Sequence, residues 1–496
     1  TGYHAGNKPV ETVLAGPNMH ATVSSWGGGI VSVRLDQFRT ETDRTSGPLV
    51  LDFASLPALT YDGLPWFTTN HDFNVAPSNG SIAVTRRADN GLVLERTISI
   101  ASNYMMIVAD RFRNSGSGPV TLPTHGVNLG PMRNNESETA MRGFSYLGID
   151  SQATRGGEKT RHWGTGGRTL QGEPSLAVSF QEKGRQGGCS YSAPPMTRWL
   201  EPEFVRTWDS ETDWIAVKNK FFVQVLMPLK DLTAESCKMR AKRKVGDNEN
   251  PSVRETWAKI ADISEVSAAM AFEGRTLQTN ETYLLEMAYY VGPKKYSLLK
   301  ELGKDSVMEF GFWSFVCKPL LWTVEKLHIV FPNYGVVIIV LTILIRLIFW
   351  PVMKKGAENA KRMQEIQPEL AALREKYKSD QAQYMKKQQE LFKKHKVSLT
   401  GGCLPMLIQL PVLFGLFVVL RSAVELRFAP FLWISDLSEP ERLLEGIVPF
   451  WPHHINVLPV LMTIVQIWQQ KLTPTPGDQS MQKMMMIFMP LFMLFL

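Results

Sequence analysis

The sequence is poor in the side chains that build most active sites. Its four cysteines, Cys189, Cys237, Cys317 and Cys403, lie far apart and form no CxxC or Cys/His metal spacing. The nine histidines are scattered, and no HExxH, GxSxG or P-loop pattern occurs. The glycine-rich stretches SWGGGI (25–30) and GTGGR (164–168) lack the strand-to-helix context of a phosphate site and read as turns. No catalytic set, cofactor or metal site is expected, so the chain does not read as an enzyme. A Cys189–Cys237 disulfide stays open, whereas Cys317 and Cys403 fall in apolar segments and read as small apolar residues.

Charge imbalance is equally scarce. Of the formal +7, residues 1–300 supply 33 basic against 31 acidic side chains, and residues 301–496 supply 21 against 16. No basic face with interleaved aromatics emerges, so nucleic acid is not expected to be read directly. Long apolar runs are missing before residue 330 and dominate after it. The chain therefore divides into a soluble part and a membrane part.

What the first 295 residues do contain is strand-like alternation. SIAVTR (81–86) puts Ile82 and Val84 on one side, and MMIVADRFRN (105–114), WIAVKNKFFVQVLMP (214–228) and TYLLEMAYYVGP (282–293) repeat the theme between Gly, Asn, Ser and Pro clusters. Many short strands with frequent turns predict a large antiparallel β-sandwich over 1–300. Such sandwiches often bind sugars, but no carboxylate pair stands at a readable spacing; a folded spacer or docking domain is the plainer reading.

Beyond it the pattern becomes helical. Residues 305–331, containing FGFWSFVCKPLLWTVEKLHIVF, are too polar to span and predict an amphipathic helix lying in the membrane interface. Residues 332–352 predict a transmembrane helix. In 353–400 there are 12 Lys or Arg against 6 Asp or Glu, and Met363, Ile366, Leu370, Leu373 and Tyr377 form an apolar seam. This predicts a helical hairpin in water, with Pro368 kinking the first helix or starting a new one. Tyr384, Gln388, Leu391 and His395 form a weaker second stripe. Residues 402–422 and 454–471 predict two more spans, joined by an acidic loop at 423–453 and followed by a loop at 472–483. The last thirteen residues, 484–496, begin a further span but are too few to complete one. With no initiator methionine or export signal either, the expectation is a fragment with membrane segments missing at both ends.

One thing missing from the spans raises a functional question. VVIIVLTILIRLIFWPVMKK (336–355) holds Arg346, eight residues before Lys354 and thus roughly 12 Å deeper at the helical rise. No carboxylate lies well inside any span to pair with it. Thr342 is one turn earlier on the same face, and Gln409, flanked by Pro405 and Pro411, and Gln466 bring polar groups from neighbouring spans. Water and these groups would solvate the guanidinium, which implies a wet, positively charged cavity open to the cytoplasm and partly to lipid. The plainer alternatives are an arginine that snorkels beside Trp350, and interhelical hydrogen bonds by Thr342, Gln409 and Gln466.

The stretches NYGVVIIVLTILIRLIFWPVMKK, MQEIQPELAALREKYK, GGCLPMLIQLPVLFGLFVVLRSAVELRFAPFLWISDLS and QQKLTPTPGDQSMQKMMMIFMP closely resemble the YidC membrane-protein insertases, kin of the oxidase-assembly insertases of mitochondria and chloroplasts. The resemblance runs almost continuously over 310–496. The amino-terminal part is similar to the periplasmic sandwich of Gram-negative members, most clearly at WIAVKNKFFVQVLMP and YYVGPKKY. It implies a multi-pass protein of the bacterial inner membrane that inserts and helps fold membrane proteins, alone or with the Sec translocon. Implied partners are nascent membrane proteins, the ribosome and the lipid bilayer. In the family the arginine of the first core helix lies in a hydrophilic groove, a position held here by Arg346. The element past which clients are thought to slide corresponds to Gln409 and Pro411. A small-solute transporter and a membrane-anchored saccharide receptor are the alternative readings. The lysine and arginine bias puts 1–300 and 423–453 outside and 353–400 and 472–483 inside. Introduced cysteines at Ser379 and Ser438 are therefore expected to react with an impermeant reagent from opposite sides; reaction of both from one side would refute this topology.

Overall fold

The computed structural model describes residues 8–43, 45–133, 147–152, 160–164, 203–209, 211–230, 232–243, 263–377, 380–395, 397, 404–441, 443 and 456–472. It divides into two units, Thr1–Glu309 and Phe310–Leu496. The expectations for GTGGR beyond Gly164, for Cys189 and Cys403, and for 473–496 fall outside the described residues.

The first unit is a large antiparallel β-sandwich. Its nine-stranded sheet runs, in spatial order, through Thr160–Gly164, Gly148–Gln152, Trp214–Lys218, Phe222–Pro228, Thr282–Pro293, Met105–Asn114, Leu92–Ser102, Ser81–Arg87 and Asn74–Ser78. A second sheet joins Glu203–Trp208, Ser236–Arg243, Ile263–Phe272, His125–Asn128 and Tyr61–Asp62, with Met132–Arg133 pairing to Ile263–Phe272. A four-stranded sheet runs in chain order from Glu11–Ala15 to Pro48–Asp52. The period of two that marks a half-buried strand is visible in the side chains: Ile82 and Val84 are buried, as are Leu92, Leu94 and Ile98. Cys237 is buried on Ser236–Arg243.

Two of the cations buried in this interior, Arg96 and Lys218, are held by carboxylates. Arg96 occupies the inward row between Leu94 and Ile98, directly opposite Asp110 in the register. Its Nε and Nη2 donate to the two carboxylate oxygens of Asp110 at 2.7 Å each, and Nη1 donates to the carbonyls of Leu59 at 2.6 Å and Gly28 at 3.0 Å. Tyr61 gives its hydroxyl proton to Asp110, and its phenol is held well above the usual range, first by burial and then by the Asp110 charge. The Gly28 carbonyl reaches Arg96 because Gly27 and Gly28 take φ of +73° and +61°; a Cβ at Gly28 would stand 2.6 Å from Val84 Cγ1. SWGGGI is thus a turn that supplies an acceptor to the core.

The second cation, Lys218, ends the strand Trp214–Lys218. Its Nζ lies 2.6 Å from Asp150 Oδ2, 3.1 Å from the Val307 carbonyl and 3.2 Å from Glu309 Oε2. Burial disfavours its charge, but the Asp150 and Glu309 carboxylates outweigh it and raise the amine above its usual range. The contact pins the short 3₁₀ turn Asp305–Met308, which follows helix α1 (Tyr296–Glu301), against the sheet.

The second unit is helical. Helix α2 (Ser314–Val330) follows a 3₁₀ turn at Gly311–Trp313, and α3 (Tyr334–Glu365) is 32 residues long. Helix α3 continues through Pro351 and past the expected boundary at 352. Only one intrahelical hydrogen bond is lost at a proline, and the flanking turns hold the rest. Pro368 lies in the first turn of α4 (Gln367–Lys376), where its missing N–H costs nothing. Helix α5 (Gln381–Lys394) is capped by Asp380, whose carboxylate accepts from the Gln383 amide at 2.9 Å. Met363 and Ile366, with Leu370 packed alongside, bury against Phe392 and Val397. Helices α6 (Leu404–Ser422) and α7 (Val457–Leu472) complete the described part. By length and composition α3 suffices to cross a membrane; 409–421 and 457–469 are shorter apolar helices.

Removing Arg96 alone would strand a buried carboxylate. Arg96→Leu is expected to destabilise the sandwich by about 3–5 kcal/mol. Arg96→Leu with Asp110→Leu should recover part of the loss, because the uncompensated charge is then gone. Chemical denaturation followed by tryptophan emission checks both; a loss for Arg96→Leu within the error of wild type would show that the pair does not brace the core.

Candidate polar site on the apolar helices

The apolar helices are held by close backbone approach and ring stacking. Gly415 on α6 lets α2 come near enough that a Cβ there would meet Val316 Cγ1 at 2.8 Å. The Cys317 thiol donates to the Gly415 carbonyl at 3.6 Å, which ties the two helices at the same point. Trp313 stacks on Phe414 with centroids 5.5 Å apart. Cys317, Leu320, Leu321 and Val324 of α2, Val337 and Leu341 of α3, and Val419 of α6 are buried.

The mouth of α3 is built by residues whose role the apolar pattern did not reveal. Asn333 caps the helix, its Oδ1 accepting from the amides of Gly335 at 2.9 Å and Val336 at 3.2 Å, while its Nδ2 donates to the Pro430 carbonyl at 3.3 Å. Gly335 is needed because Phe431 occupies the space a Cβ would take. Glu441 caps α7, accepting from the amides of Val457 and Leu458 at 3.1 Å each, and from Trp433 Nε1 at 3.2 Å. An asparagine just ahead of an apolar run is the one sequence signal that pointed here.

Thr342 and Arg346 lie one turn apart on the exposed side of α3, beside exposed Ile343, Leu347 and Trp350. Thr342 Oγ1 donates to the Ile338 carbonyl at 2.8 Å, which commits its proton to the helix and leaves its lone pairs to accept. Among the described residues no hydrogen bond or ion pair reaches Arg346. Gln409 and Pro411 are half-buried on α6, which packs against α3, and Gln466 is half-buried on α7. Pro411 lacks an N–H and so leaves a carbonyl one turn earlier without its helical partner. The structure thus brings Thr342 and Arg346 together and sets α6 beside their helix. No hydrogen bond links Gln409 or Gln466 to Arg346 among the described residues. Chemically, a guanidinium on an otherwise greasy surface attracts water and anionic groups.

Comparison with known proteins covers both units. Residues 326–496 match the family described as the 60Kd inner membrane protein, and residues 200–323 match the YidC periplasmic domain. The chain is 35% identical over 285 residues to a protein named membrane protein insertase YidC from Syntrophobacter fumaroxidans, covering 57% of this chain and 48% of that one. A protein of the same name from Pelobacter propionicus is 42% identical over 200 residues, 40% of this chain and 37% of that one. Another from Geotalea daltonii is 26% identical over 509 residues, 98% of this chain and 80% of that one. The chain spans about half the length of the Syntrophobacter relative. The helical unit and the later part of the sandwich thus match successive parts of one protein type, and along its length the chain is similar to the YidC family of inner-membrane proteins.

Proposed function

We propose that the chain is a membrane protein insertase that receives the polar end of a client in a hydrophilic groove and releases its apolar segments to lipid. The observation that carries this reading is Arg346: a permanent cation on the exposed side of a helix long enough to span, with no ion-pair partner among the described residues. An anchor helix has no use for a charge that costs about 2.5–3.5 kcal/mol at the bilayer centre. A groove that must hold water and draw in a polar chain does.

In this reading Thr342 accepts hydrogen bonds from groove water beside Arg346, and Gln409 and Gln466 line the path from α6 and α7. Pro411 leaves a backbone acceptor open near the surface along which clients slide. No nucleotide is used; release is driven by partitioning of apolar surface, at about 25 cal/mol per Å². The protein is multi-pass, with the sandwich in the periplasm and α4–α5 as a cytoplasmic hairpin that meets clients leaving the ribosome. It works alone or beside the Sec translocon, in contact with lipid throughout.

The charge of Arg346 gives the test. At an effective dielectric near 20, two unit charges about 4 Å apart attract by about 4 kcal/mol. Partial hydration leaving about a third of that is still roughly tenfold in a partition constant. Arg346→Lys is expected to retain much insertion, and Arg346→Ala to lose about tenfold for clients with acidic leading tails and less for the same clients with those acids neutralised. Insertion of one client and its neutralised version into vesicles carrying each variant measures this. Equal loss for both tails would defeat the charge mechanism, and no loss for either would defeat the groove.

A further inference from the structure

The segment between α6 and α7 carries an exposed apolar tip that neither the insertion reading nor the packing of the helices uses. Phe431 and Ile434 bond to each other through their backbones in both directions at 2.9 Å, which closes a tight turn around Leu432 and Trp433. Leu432 takes φ of +52°, a conformation a leucine adopts only when its surroundings impose it. The result is outward display: Leu432 is 76% exposed and Trp433 48%. Beneath the tip, Asp436 is buried and accepts from the amides of Phe428 at 3.0 Å and Ser438 at 2.8 Å, so the turn is rigid.

The turn is fastened at the mouths of both flanking apolar helices. Phe431 packs on Gly335 and Pro430 accepts from Asn333, at the start of α3; Trp433 bonds to Glu441, which caps α7. Its height along α3 is therefore set. From Asn333 to Trp350, another exposed tryptophan, is 17 residues, or about 25 Å at the helical rise. That is close to the hydrocarbon thickness of a bilayer, about 30 Å, and tryptophans favour the two boundaries of that layer. Between them α3 exposes the apolar side chains Ile339, Ile343, Leu347 and Ile348.

We infer that the turn Phe431–Ile434 is a membrane-contact element whose Leu432 and Trp433 seat in the interfacial layer of the outer leaflet, so that lipid is its occupant. Trp433 suits this position because its ring meets acyl chains while its N–H is already satisfied by Glu441. Because the same segment holds the ends of α3 and α7, seating it in the leaflet also fixes where these two helices, which carry Arg346 and Gln466, enter the membrane. The inference rests on the topology proposed above, with 423–453 outside.

The test uses the full chain in lipid vesicles, with native cysteines replaced by alanine and a polarity-sensitive fluorophore on Leu432→Cys or, for reference, on Ser438→Cys. The expected result is quenching of the 432 probe by lipids bearing a nitroxide high on the acyl chain, and quenching by external iodide several-fold weaker than at 438. Strong iodide quenching at 432 would overturn the inference. So would protection from both quenchers, which would mean that another part of the protein, or a second copy, covers the tip. If the 438 probe is not reached from outside, the topology fails instead, and the two failures are distinguishable. Should the labelled variant not reconstitute, Trp433→Phe in the otherwise native chain decides: loss of part of the tryptophan emission quenched by brominated lipid is expected, and no change overturns the proposal.

Discussion

An arginine taken from water to the middle of a bilayer costs about 2.5–3.5 kcal/mol on insertion scales, and a carboxylate partner is the usual way to offset it. Between Tyr334 and Lys355 the chain supplies none. The apolar face of α3 is complete without Arg346, since Val337 and Leu341 already bury the packed side. The cation is therefore surplus to folding and serves the surface it sits on. In the proposed reading, water beside the helix, the polar Gln409 and Gln466 on neighbouring helices, and the backbone acceptor opened by Pro411 meet that one constraint.

The sandwich handles buried cations the opposite way. Arg96 is held by a bidentate carboxylate and two carbonyls, and Lys218 by two carboxylates and a carbonyl. Low dielectric makes such networks strong when the charge is compensated, and there each nitrogen of both cations has an acceptor. A satisfied cation rigidifies a core, whereas an unsatisfied one advertises a site. The contrast between Arg96 and Arg346 is the physical basis for proposing Arg346, and not Arg96, as part of a working surface.

Much of the scaffold was legible because it depends on local periodicity. SIAVTR alternates in the sequence, and Ile82 and Val84 alternate inward in the structure. The seam at Met363, Ile366 and Leu370 packs as a helix face should. What was not legible depends on pairings across distance. Nothing in the pattern around Arg96 shows that it faces Asp110, fourteen residues on, or that Gly28 and Leu59 would turn carbonyls toward it. The transmembrane helix expected over 332–352 continues to Glu365, because the N–H missing at Pro351 weakens one bond and does not reverse a chain. At the polar site the residue types were visible, because a charge in an apolar run stands out. Their mutual placement was not, since it depends on how separate helices pack. The clasp made by Asn333, Gly335, Phe431 and Glu441 was hidden for the same reason.

Photocrosslinking from position 346 tests the central claim most directly. With a photoreactive residue replacing Arg346 or Gln409, and another replacing Leu347 on the neighbouring lipid-facing side, a ribosome-bound membrane protein is presented to the full chain in vesicles. The account predicts adducts to the nascent chain from 346 and 409 that map to its polar leading segment, with mainly lipid adducts from 347. Lipid adducts alone from all three positions would contradict it, because Arg346 would then face the bilayer and no groove would exist.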